Sequence, residues 1–481
     1  MNYRLVFRLI GRLLLMEAAL MLPSLAVSLI YGGGDAMAFV DAILLTVLCG
    51  GAMALLLHPK REDLNARDGM VVAGLSWATL SFFGCLPFVF SGAIPHFADA
   101  YFETVSGLTT TGATILRDIE SMPRGMLFWR SFTHWIGGMG VLIFTLALLP
   151  RLSGRSAHLA RAESPGPTFT KLLPRMSDTA KILYGIYIAL SLGMFLILLL
   201  CGMNVYDALI HTFSTAGTGG FSNYGASVAA FQSPLIEWVI AAFMLLFGVN
   251  FAVYFHLIRK EFKPAVKNEE MLCYFAIALV ATLGVTIAIL PQYGNFFVSL
   301  RYGFFQVTSI MSTTGFATAD FNLWPLAARF VLILVMCIGA CAGSTGGGFK
   351  VSRVALLVKA GYRDLQHTLQ PRKVSVVRYD GKPVQESTLS SLGTYLAVYV
   401  MLLLLGSLLL SLEAPDLTTA VTSVITCISN VGPGLNAVGP VENFAFYSPL
   451  SKFLLSILML AGRLEIYPIL ALLAPSVWRK N

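Results

Sequence analysis

The segment Y-F-E-T-V-S-G-L-T-T-T-G-A-T, residues 101–114, is apolar and ends in hydroxyl side chains followed by a glycine. Apolar runs of about 10–14 residues are too short to cross a bilayer and are typical of re-entrant segments. Three further segments follow the same plan: D-A-L-I-H-T-F-S-T-A-G-T-G-G-F-S (207–222), Y-G-F-F-Q-V-T-S-I-M-S-T-T-G-F-A-T (302–318) and T-A-V-T-S-V-I-T-C-I-S-N-V-G-P-G (419–434). Their glycines recur about every hundred residues, which indicates four internal repeats. These glycines are Gly112, Gly219, Gly315 and Gly432.

The composition is that of an integral membrane protein. Of 481 residues, 56% are hydrophobic and 12% are charged, whereas soluble domains contain about 25% charged residues. The seven cysteines lie in apolar stretches and none forms a CxxC pair, so we expect neither a disulfide framework nor a metal site. The N-terminal apolar run has no convincing cleavage site and is interpreted as a retained helix. Ten spans are predicted, near residues 9–31, 37–57, 70–92, 126–149, 182–202, 235–258, 271–291, 326–342 (continuing to about 360), 392–412 and 450–474.

The charges indicate how the chain is oriented. Most of the 33 Lys and Arg residues fall in six segments that ten spans would place on one side of the membrane. By the positive-inside rule, that side is cytoplasmic and carries both termini. The net charge of +8 is therefore explained by topology, and no nucleic-acid partner is expected. The six segments are 1–12, 58–68, 151–181, 259–267, 350–382 and 479–480.

Each repeat is predicted to contain a span, a re-entrant pore helix, a Thr/Ser-Gly loop and a second span. All four loops lie on the non-cytoplasmic side, so the repeats run parallel, which favours a pseudo-fourfold array about an axis normal to the membrane. The predicted fold is an all-α polytopic membrane protein with four parallel span–pore-loop–span repeats around a central pore, plus two N-terminal spans. The predicted divisions are an N-terminal extension, 1–66, and four repeats, 67–165, 166–265, 266–380 and 381–481.

The loops predict cation chemistry. Irregular backbone at membrane depth is tolerated only where it is buried or lines water, and a glycine can adopt positive φ, which lets successive carbonyls turn toward one axis. Four converging loops of carbonyl oxygens can replace the hydration shell of a monovalent cation. No ring of Asp or Glu occupies the loops, which disfavours a divalent-selective filter. The alternative is that Gly and Thr only allow close helix packing, and the regular spacing of four such loops disfavours it.

Several motifs resemble a known family. The loops T-T-T-G-A-T, T-G-G-F-S, S-T-T-G-F-A-T and S-N-V-G-P-G resemble the four filter sequences of the Trk/Ktr/HKT superfamily of potassium transporters. The motifs H-W-I-G-G-M-G (134–140), A-G-S-T-G-G-G-F-K (342–350) and A-G-R-L-E (461–465) are similar to signatures of its bacterial TrkH-type branch, which the two N-terminal spans also favour. Since serine in the first loop accompanies sodium transport in plant relatives, glycine in all four loops implies a potassium preference.

The resemblance also implies site residues and partners. It implies a homodimer bound to a cytoplasmic ring of nucleotide-binding Trk regulatory subunits, contacts with membrane lipid, and no cofactor beyond K+ as substrate. The fourth loop departs most from the others, because Asn430 and Val431 replace hydroxyl residues. The residues implied to line the K+ filter through their carbonyls are Thr109, Thr110, Thr111, Gly112, Gly217, Thr218, Gly219, Ser312, Thr313, Thr314, Gly315, Ser429, Asn430, Val431 and Gly432.

The segment C-A-G-S-T-G-G-G-F-K-V-S (341–352) nearly matches a phosphate-binding loop. However, Phe349 displaces Lys350 by one position, and no strand precedes the glycines. We expect the glycines to break the second span of repeat 3 below the filter, where such a break must line a cavity. The alternative is small-xxx-small helix packing, and Lys350 receives no role. The predicted gate residues are Gly343, Ser344, Thr345, Gly346, Gly347 and Gly348, together with Arg463.

Arg463 lies inside the last predicted span, where an arginine costs at least about 2.5–3.5 kcal/mol. Glu465 is only two residues away and is a poor partner within one helix. We expect Arg463 either to face a water-filled pore, where its charge opposes cations, or to bind carbonyls or a carboxylate of another helix. The resemblance supports the first. Asp207 and Asp416, near two pore helices, are predicted to be helix N-caps, with cation attraction as the alternative.

These patterns predict potassium uptake across the bacterial cytoplasmic (inner) membrane through a gated pore, and no enzyme activity. A Na+-selective carrier or an H+/Na+-coupled symporter of the same fold remains an alternative. An intramembrane enzyme is disfavoured because the spans hold no paired catalytic residues.

Overall fold

The computed structural model describes residues 1–59, 65–140, 176–373 and 375–478. Regular structure in these ranges is helical except for one short ribbon, in which β1 (Arg378–Tyr379) pairs antiparallel with β2 (Lys382–Pro383). The all-α prediction is confirmed. The predicted boundary at 165/166 and the end of the predicted span 126–149 lie outside the described residues.

Two long helices, α1 (Tyr3–Tyr31) and α2 (Ala36–Leu56), form the N-terminal extension. Asn2 caps α1 by accepting the Leu5 N–H at 3.2 Å, and a hydrogen bond from Ser28 to Asp35 closes the turn between the helices. The two helices pack along each other and against repeat 1, with which they share one hydrophobic cluster.

In each repeat, a first span leads into a shorter pore helix. Repeat 1 also contains a short helix, α4 (Leu86–Phe90), between the two. Asn or Asp side chains cap the pore helices of repeats 2, 3 and 4, which fixes where each one starts. The first spans are α3 (Ala66–Gly84), α7 (Met176–Leu200), α12 (Glu269–Tyr293) and α16 (Glu386–Leu410), and the pore helices are α5 (Phe97–Leu108), α8 (Val205–Ala216), α13 (Phe296–Met311) and α17 (Leu417–Ser429).

The second spans differ from the prediction, which placed a break only in repeat 3. Breaks are present in repeats 2, 3 and 4, and the helix of repeat 1 ends at Gly138. In the described ranges, six helices are long and apolar enough to cross a membrane, or seven if the pair bent by 90° in repeat 2 is one span. The second-span helices are α6 (Arg124–Gly138), α9 (Pro234–Phe247) with α10 (Phe251–Ile258), α14 (Leu326–Ile338) with α15 (Val351–Leu369), and α18 (Pro449–Arg463) with α19 (Tyr467–Leu473).

The extra breaks have local causes. In repeat 2, Asn250 ends the break by capping α10, its Oδ1 accepting the Ala252 N–H at 2.9 Å. In repeat 4, Glu465 and Ile466 take φ values of 58° and 68°, which a helix does not allow. The remaining helices are short: α11 (Phe262–Val266), α20 (Pro475–Trp478) and 3₁₀ turns at Ser227–Phe231, Phe321–Leu323 and Asn436–Val438.

Candidate cation pathway

The four pore helices end in one backbone pattern. Four residues at the C-terminal end of each pore helix form a loop. We name these loops filter loop 1 (109–112), filter loop 2 (217–220), filter loop 3 (312–315) and filter loop 4 (429–432). In every loop, the N–H of the third residue donates to the carbonyl five residues earlier, at 2.8–2.9 Å. The second residue of every loop has a φ between 53° and 62°, which is the left-handed conformation that commonly ends a helix. These second residues are Thr110, Thr218, Thr313 and Asn430.

The fourth residue of each loop is a glycine at positive φ, and the four glycines form a closed ring. A Cβ atom at any of them would overlap the third-residue carbonyl oxygen of the next loop. Loop 4 returns to loop 1 in the same way, so the four loops surround one axis and leave no room for a side chain at these glycines. The glycine–carbonyl pairs are Gly112 with Gly219, Gly220 with Thr314, Gly315 with Val431, and Gly432 with Thr111.

The ring corrects the predicted register of filter loop 2. The sequence assigned Gly219 as its signature glycine, but Gly220, with a φ of 77°, occupies the position equivalent to Gly112. Gly219 instead supplies the third carbonyl of the loop. Two adjacent glycines leave the register undetermined in the sequence, whereas the backbone contacts determine it.

Side-chain contacts lie within filter loops 1 and 3 and connect filter loop 4 to filter loop 1. In filter loop 1 the hydroxyls of Thr109 and Thr111 are 2.8 Å apart, and filter loop 3 repeats this pair with Ser312 and Thr314 at 2.7 Å. In filter loop 4, Asn430 Nδ2 donates to Thr111 Oγ1 and to the Met459 carbonyl, each at 2.9 Å. The departure of loop 4 from the hydroxyl pattern therefore connects it to loop 1 and to its own second span.

A buried ion pair lies behind filter loops 1 and 2, and the sequence analysis did not find it. Arg130 Nε donates to Glu103 Oε1 at 2.6 Å, with both side chains almost fully buried. Glu103 also accepts hydrogen bonds from Thr114 and Ile115, just after loop 1. Arg130 donates to the Ser222 carbonyl at 3.0 Å, just after loop 2. The sequence does contain a signal for this pair, because one acid and one base lie inside the apolar segments of a single repeat.

The ring lies between two cavities. The outer cavity, of 110 Å³, is lined by all four ring glycines. The inner cavity, of 1260 Å³, is lined by residues of the segment between α14 and α15 and by Arg463. The segment between α14 and α15, residues 339–350, which we name the glycine loop, therefore faces the cavity on the inner side of the ring.

The glycine loop lies directly below the ring. Gly347 N–H donates to Thr313 Oγ1 of filter loop 3 at 2.6 Å. A Cβ atom at Gly346 would lie 2.8 Å from the Ser312 carbonyl oxygen, and one at Gly347 would overlap that of Ser429. The predicted break of this span is confirmed, and because these glycines are not helical, small-xxx-small helix packing does not apply.

Arg463 binds the tip of the glycine loop, residues 343–347. Its Nη1 donates to the Thr345 carbonyl at 2.7 Å, and its Nη2 donates to the carbonyls of Gly137 and Gly138 at 2.5 and 2.6 Å. The last two belong to the C-terminal end of α6, which carries partial negative charge. Arg463 therefore lines the inner cavity and also binds carbonyls of other segments, and the opposition of its charge to cations stays a prediction.

Two further cations fasten the end of the glycine loop. Lys350, which is buried, donates from Nζ to the Gly346 carbonyl and so folds the loop onto itself. Arg353 pairs with Glu465, lies 4.1 Å from the ring centre of Tyr395, and thereby connects α15 to the break in repeat 4. Glu465, predicted to be a poor partner for Arg463 within one helix, pairs with a cation from another repeat.

The aspartates gave one correct and one wrong prediction. Asp416 caps α17, its Oδ1 accepting the Thr419 N–H at 2.9 Å. The cap of α8 is Asn204, whereas Asp207 lies in the first turn and accepts hydrogen bonds from Asn223 at 2.8 Å and Tyr224 at 3.0 Å. Asp207 therefore holds the segment that follows filter loop 2.

Residues 35–480 match the family model described as TrkH, cation transport protein. The chain belongs to the TrkH family. The Trk system potassium uptake protein TrkH of Salmonella typhimurium is 36% identical over 487 residues, and that of Escherichia coli K12 is 35% identical over 486 residues. Each of these matches covers 100% of both chains.

A solved structure of the TrkH family has the same fold. The crystal structure of the potassium transporter TrkH from Vibrio parahaemolyticus matches with a TM-score of 0.90 at 32% sequence identity, over 100% of both chains. The predicted fold class, with four repeats around a central pore, is confirmed.

Proposed function

We propose that this TrkH-family protein takes up potassium ions across the cytoplasmic membrane through a filter of backbone carbonyls. The observation that carries the proposal is the closed ring of four equivalent loops, with one cavity on each side. Rings of backbone carbonyls replace the hydration shell of K+ in selective pores. The full-length relatives are named potassium uptake proteins, which supports the choice of ion.

The filter would comprise the predicted residues together with Gly220. All four pore helices direct their C-terminal ends at the ring, and the partial negative charge there favours a cation. Because the ring glycines lack side chains, coordination falls to carbonyl oxygens, which carry no formal charge. A monovalent ion is therefore preferred over a divalent one.

The glycine loop and Arg463 would form the gate. The loop lies between the filter and the inner cavity, and Arg463 binds its tip to α6. For an ion to pass, the tip must leave the axis, which breaks the hydrogen bonds from Arg463 to Thr345 and from Gly347 to Thr313. The positive charge of Arg463 on the inner cavity adds an electrostatic barrier while the tip is in place.

The orientation in the membrane and the partner subunits are also part of the proposal. The positive-inside rule favours cytoplasmic termini, and the relatives are named as parts of a Trk system, which implies further components. We propose a homodimer in lipid, on a cytoplasmic ring of nucleotide-binding regulatory subunits, without a cofactor. The division into an extension and four repeats follows the helix order, with repeat 2 ending at about residue 265.

The test is cation flux into liposomes that contain the purified full-length protein. We expect K+ and Rb+ to enter faster than Na+ and Li+, with no dependence on an imposed pH gradient. Faster Na+ entry would favour a sodium carrier, and a strict requirement for a proton gradient would favour a symporter. Flux that ignores the identity of the cation would refute the filter.

A further inference from the structure

Glu270 lies where the glycine loop begins and ends, and none of the preceding proposals uses it. It belongs to the first turn of α12 in repeat 3 and is 4% exposed. Its Oε1 accepts the Ala342 N–H at 2.6 Å and the Ser352 N–H at 3.2 Å. One carboxylate oxygen thus binds the backbone on both sides of the loop tip.

The glycine loop consists of a base and a tip with different contacts. In the base, N–H groups of Lys350 and Val351 donate to the carbonyls of Ile338 and Ala340, at 2.8 and 3.1 Å. The tip, residues 343–347, contacts Thr313 of the same repeat and two other repeats, at Arg463 and at the bend in repeat 2, where Phe251 N–H donates to the Gly343 carbonyl at 3.0 Å. The hydrogen bonds of Glu270 described above are to Ala342 in the base and to Ser352 in the first turn of α15, and neither is to the tip.

The position of Glu270 suits an anion that does not move. A negative charge in the first turn of a helix is stabilised by the helix dipole, and Asn268 caps the same turn. Lys350 and Arg463, which donate to the carbonyls of Gly346 and Thr345, place positive charge around the loop. Without the carboxylate, two buried N–H groups would lose their acceptor, and buried donors without an acceptor are strongly disfavoured.

We propose that Glu270 is a positioning residue that anchors the base of the glycine loop, so that opening moves the tip while the base stays in place. This inference rests on the proposed gate function of the loop. Since Arg463 and Thr313 hold the tip only when it is closed, an anchored base makes the tip return to the same position. The carboxylate therefore keeps the resting pore closed through the loop, without contacting the ion.

The test compares Glu270→Ala with Glu269→Ala in the full-length protein. Glu269 is the adjacent residue, is half-buried and pairs with Lys359 instead of the loop, so it is a matched control. Two readouts are used: K+ leak into liposomes, and alkylation of Cys341 by N-ethylmaleimide, quantified by mass spectrometry. Cys341 is fully buried in the loop base, and Cys337 in α14 is the internal reference.

We expect Glu270→Ala to raise the rate of Cys341 alkylation relative to Cys337, and the K+ leak, by about tenfold each. Glu269→Ala should leave both unchanged. Glu270→Gln should give a smaller but measurable rise, since its amide oxygen can still accept both N–H groups but carries no formal charge and binds them more weakly. If Glu270→Ala does not fold, the Gln variant decides, because a Cys341 rate equal to that of Glu269→Ala would overturn the anchor.

The two readouts separate this inference from the proposed function. Slow Cys341 alkylation in Glu270→Ala, as in the unmodified protein, would show that the backbone contacts hold the base alone and would refute the inference. Fast alkylation with an unchanged K+ leak would support the anchor and count against the loop as the gate.

Discussion

The filter ring and the layer directly below it are built in opposite ways. Above, four loops repeat one backbone pattern, and each approaches the next through a glycine and a carbonyl. Below, the four second spans are interrupted differently: by a helix end in repeat 1, a 90° bend in repeat 2, a long glycine loop in repeat 3 and a short turn in repeat 4. The ring is made by backbone, and the layer below is held by charged side chains.

This difference separates two tasks. An ion on the axis is coordinated best when all four sides present the same oxygen atoms, so symmetry is retained there. A gate needs one element that moves against fixed neighbours, and four equal elements would have to move together. In the gate proposed above, the long break in repeat 3 would move against the short breaks of its neighbours, which supply its partners Arg463 and Phe251.

The largest effect should follow from breaking the ring itself. In Gly220→Ala, the new Cβ would overlap the Thr314 carbonyl oxygen, which must move. Because misplacing functional groups by about 1 Å can cost about 100-fold in rate, we expect K+ flux in liposomes to fall by about that factor. Gly202→Ala is the matched control, since Gly202 also has positive φ but no atom within 4 Å of the added Cβ. Wild-type flux in Gly220→Ala would contradict the ring.

The ion pair behind the ring should rank second. Glu103→Gln leaves the Arg130 charge buried without its counter-charge, and removing one partner of a buried pair costs about 3–5 kcal/mol. We expect a lower melting temperature and weaker selection of K+ over Na+. The control is Glu120→Gln, an acid exposed on the outer surface that accepts the Gly225 N–H.

A double variant separates stability from selectivity. Glu103→Gln combined with Arg130→Met removes both charges and should recover part of the melting temperature. Selectivity should stay low, because Arg130→Met loses the contact to Ser222 and the amide of Glu103→Gln has a single acceptor oxygen for Thr114 and Ile115. Full recovery of selectivity would show that the pair only stabilises the fold.

The two regions also differ in how far the sequence predicted them. The ring could be predicted because its signal is local: a pore helix, hydroxyl residues and a glycine recur in order along the chain. Only the register of filter loop 2 failed, since Gly219 and Gly220 are chemically identical and only contacts with other loops distinguish them.

The layer below could be predicted only in part. The glycines of repeat 3 predicted a break, but the bend in repeat 2 and the turn in repeat 4 also make contacts with distant residues, Phe251 N–H with the Gly343 carbonyl and Glu465 with Arg353. The same holds for Lys350, whose acceptor is a loop carbonyl, and for Glu270, which binds a segment of the same repeat 72 and 82 residues away. Local sequence patterns do not predict side-chain contacts between distant segments.

The tip of the glycine loop should respond to Arg463. Arg463→Ala removes the hydrogen bond to Thr345 and the charge on the inner cavity, and we expect K+ flux to rise by about tenfold. Arg463→Lys keeps the charge but loses the planar fork that reaches Thr345 and α6 together. A smaller rise in the Lys variant would show that charge and hydrogen bonding both contribute. Unchanged or lower flux in a folded Ala variant would contradict the gate.

The smallest effect should come from the one loop that departs from the fourfold pattern. Asn430→Gly keeps the left-handed backbone without strain but removes the hydrogen bonds to Thr111 and Met459. Asn430→Ala removes the same bonds and adds about 1–2 kcal/mol for alanine in that conformation. We expect the ratio of K+ to Na+ flux to fall by a few-fold in both variants, and the melting temperature to fall further in Asn430→Ala. If Asn430→Gly keeps full selectivity, backbone alone positions filter loop 4, and the symmetry of the ring does not depend on the side chain that ties loop 4 to loop 1.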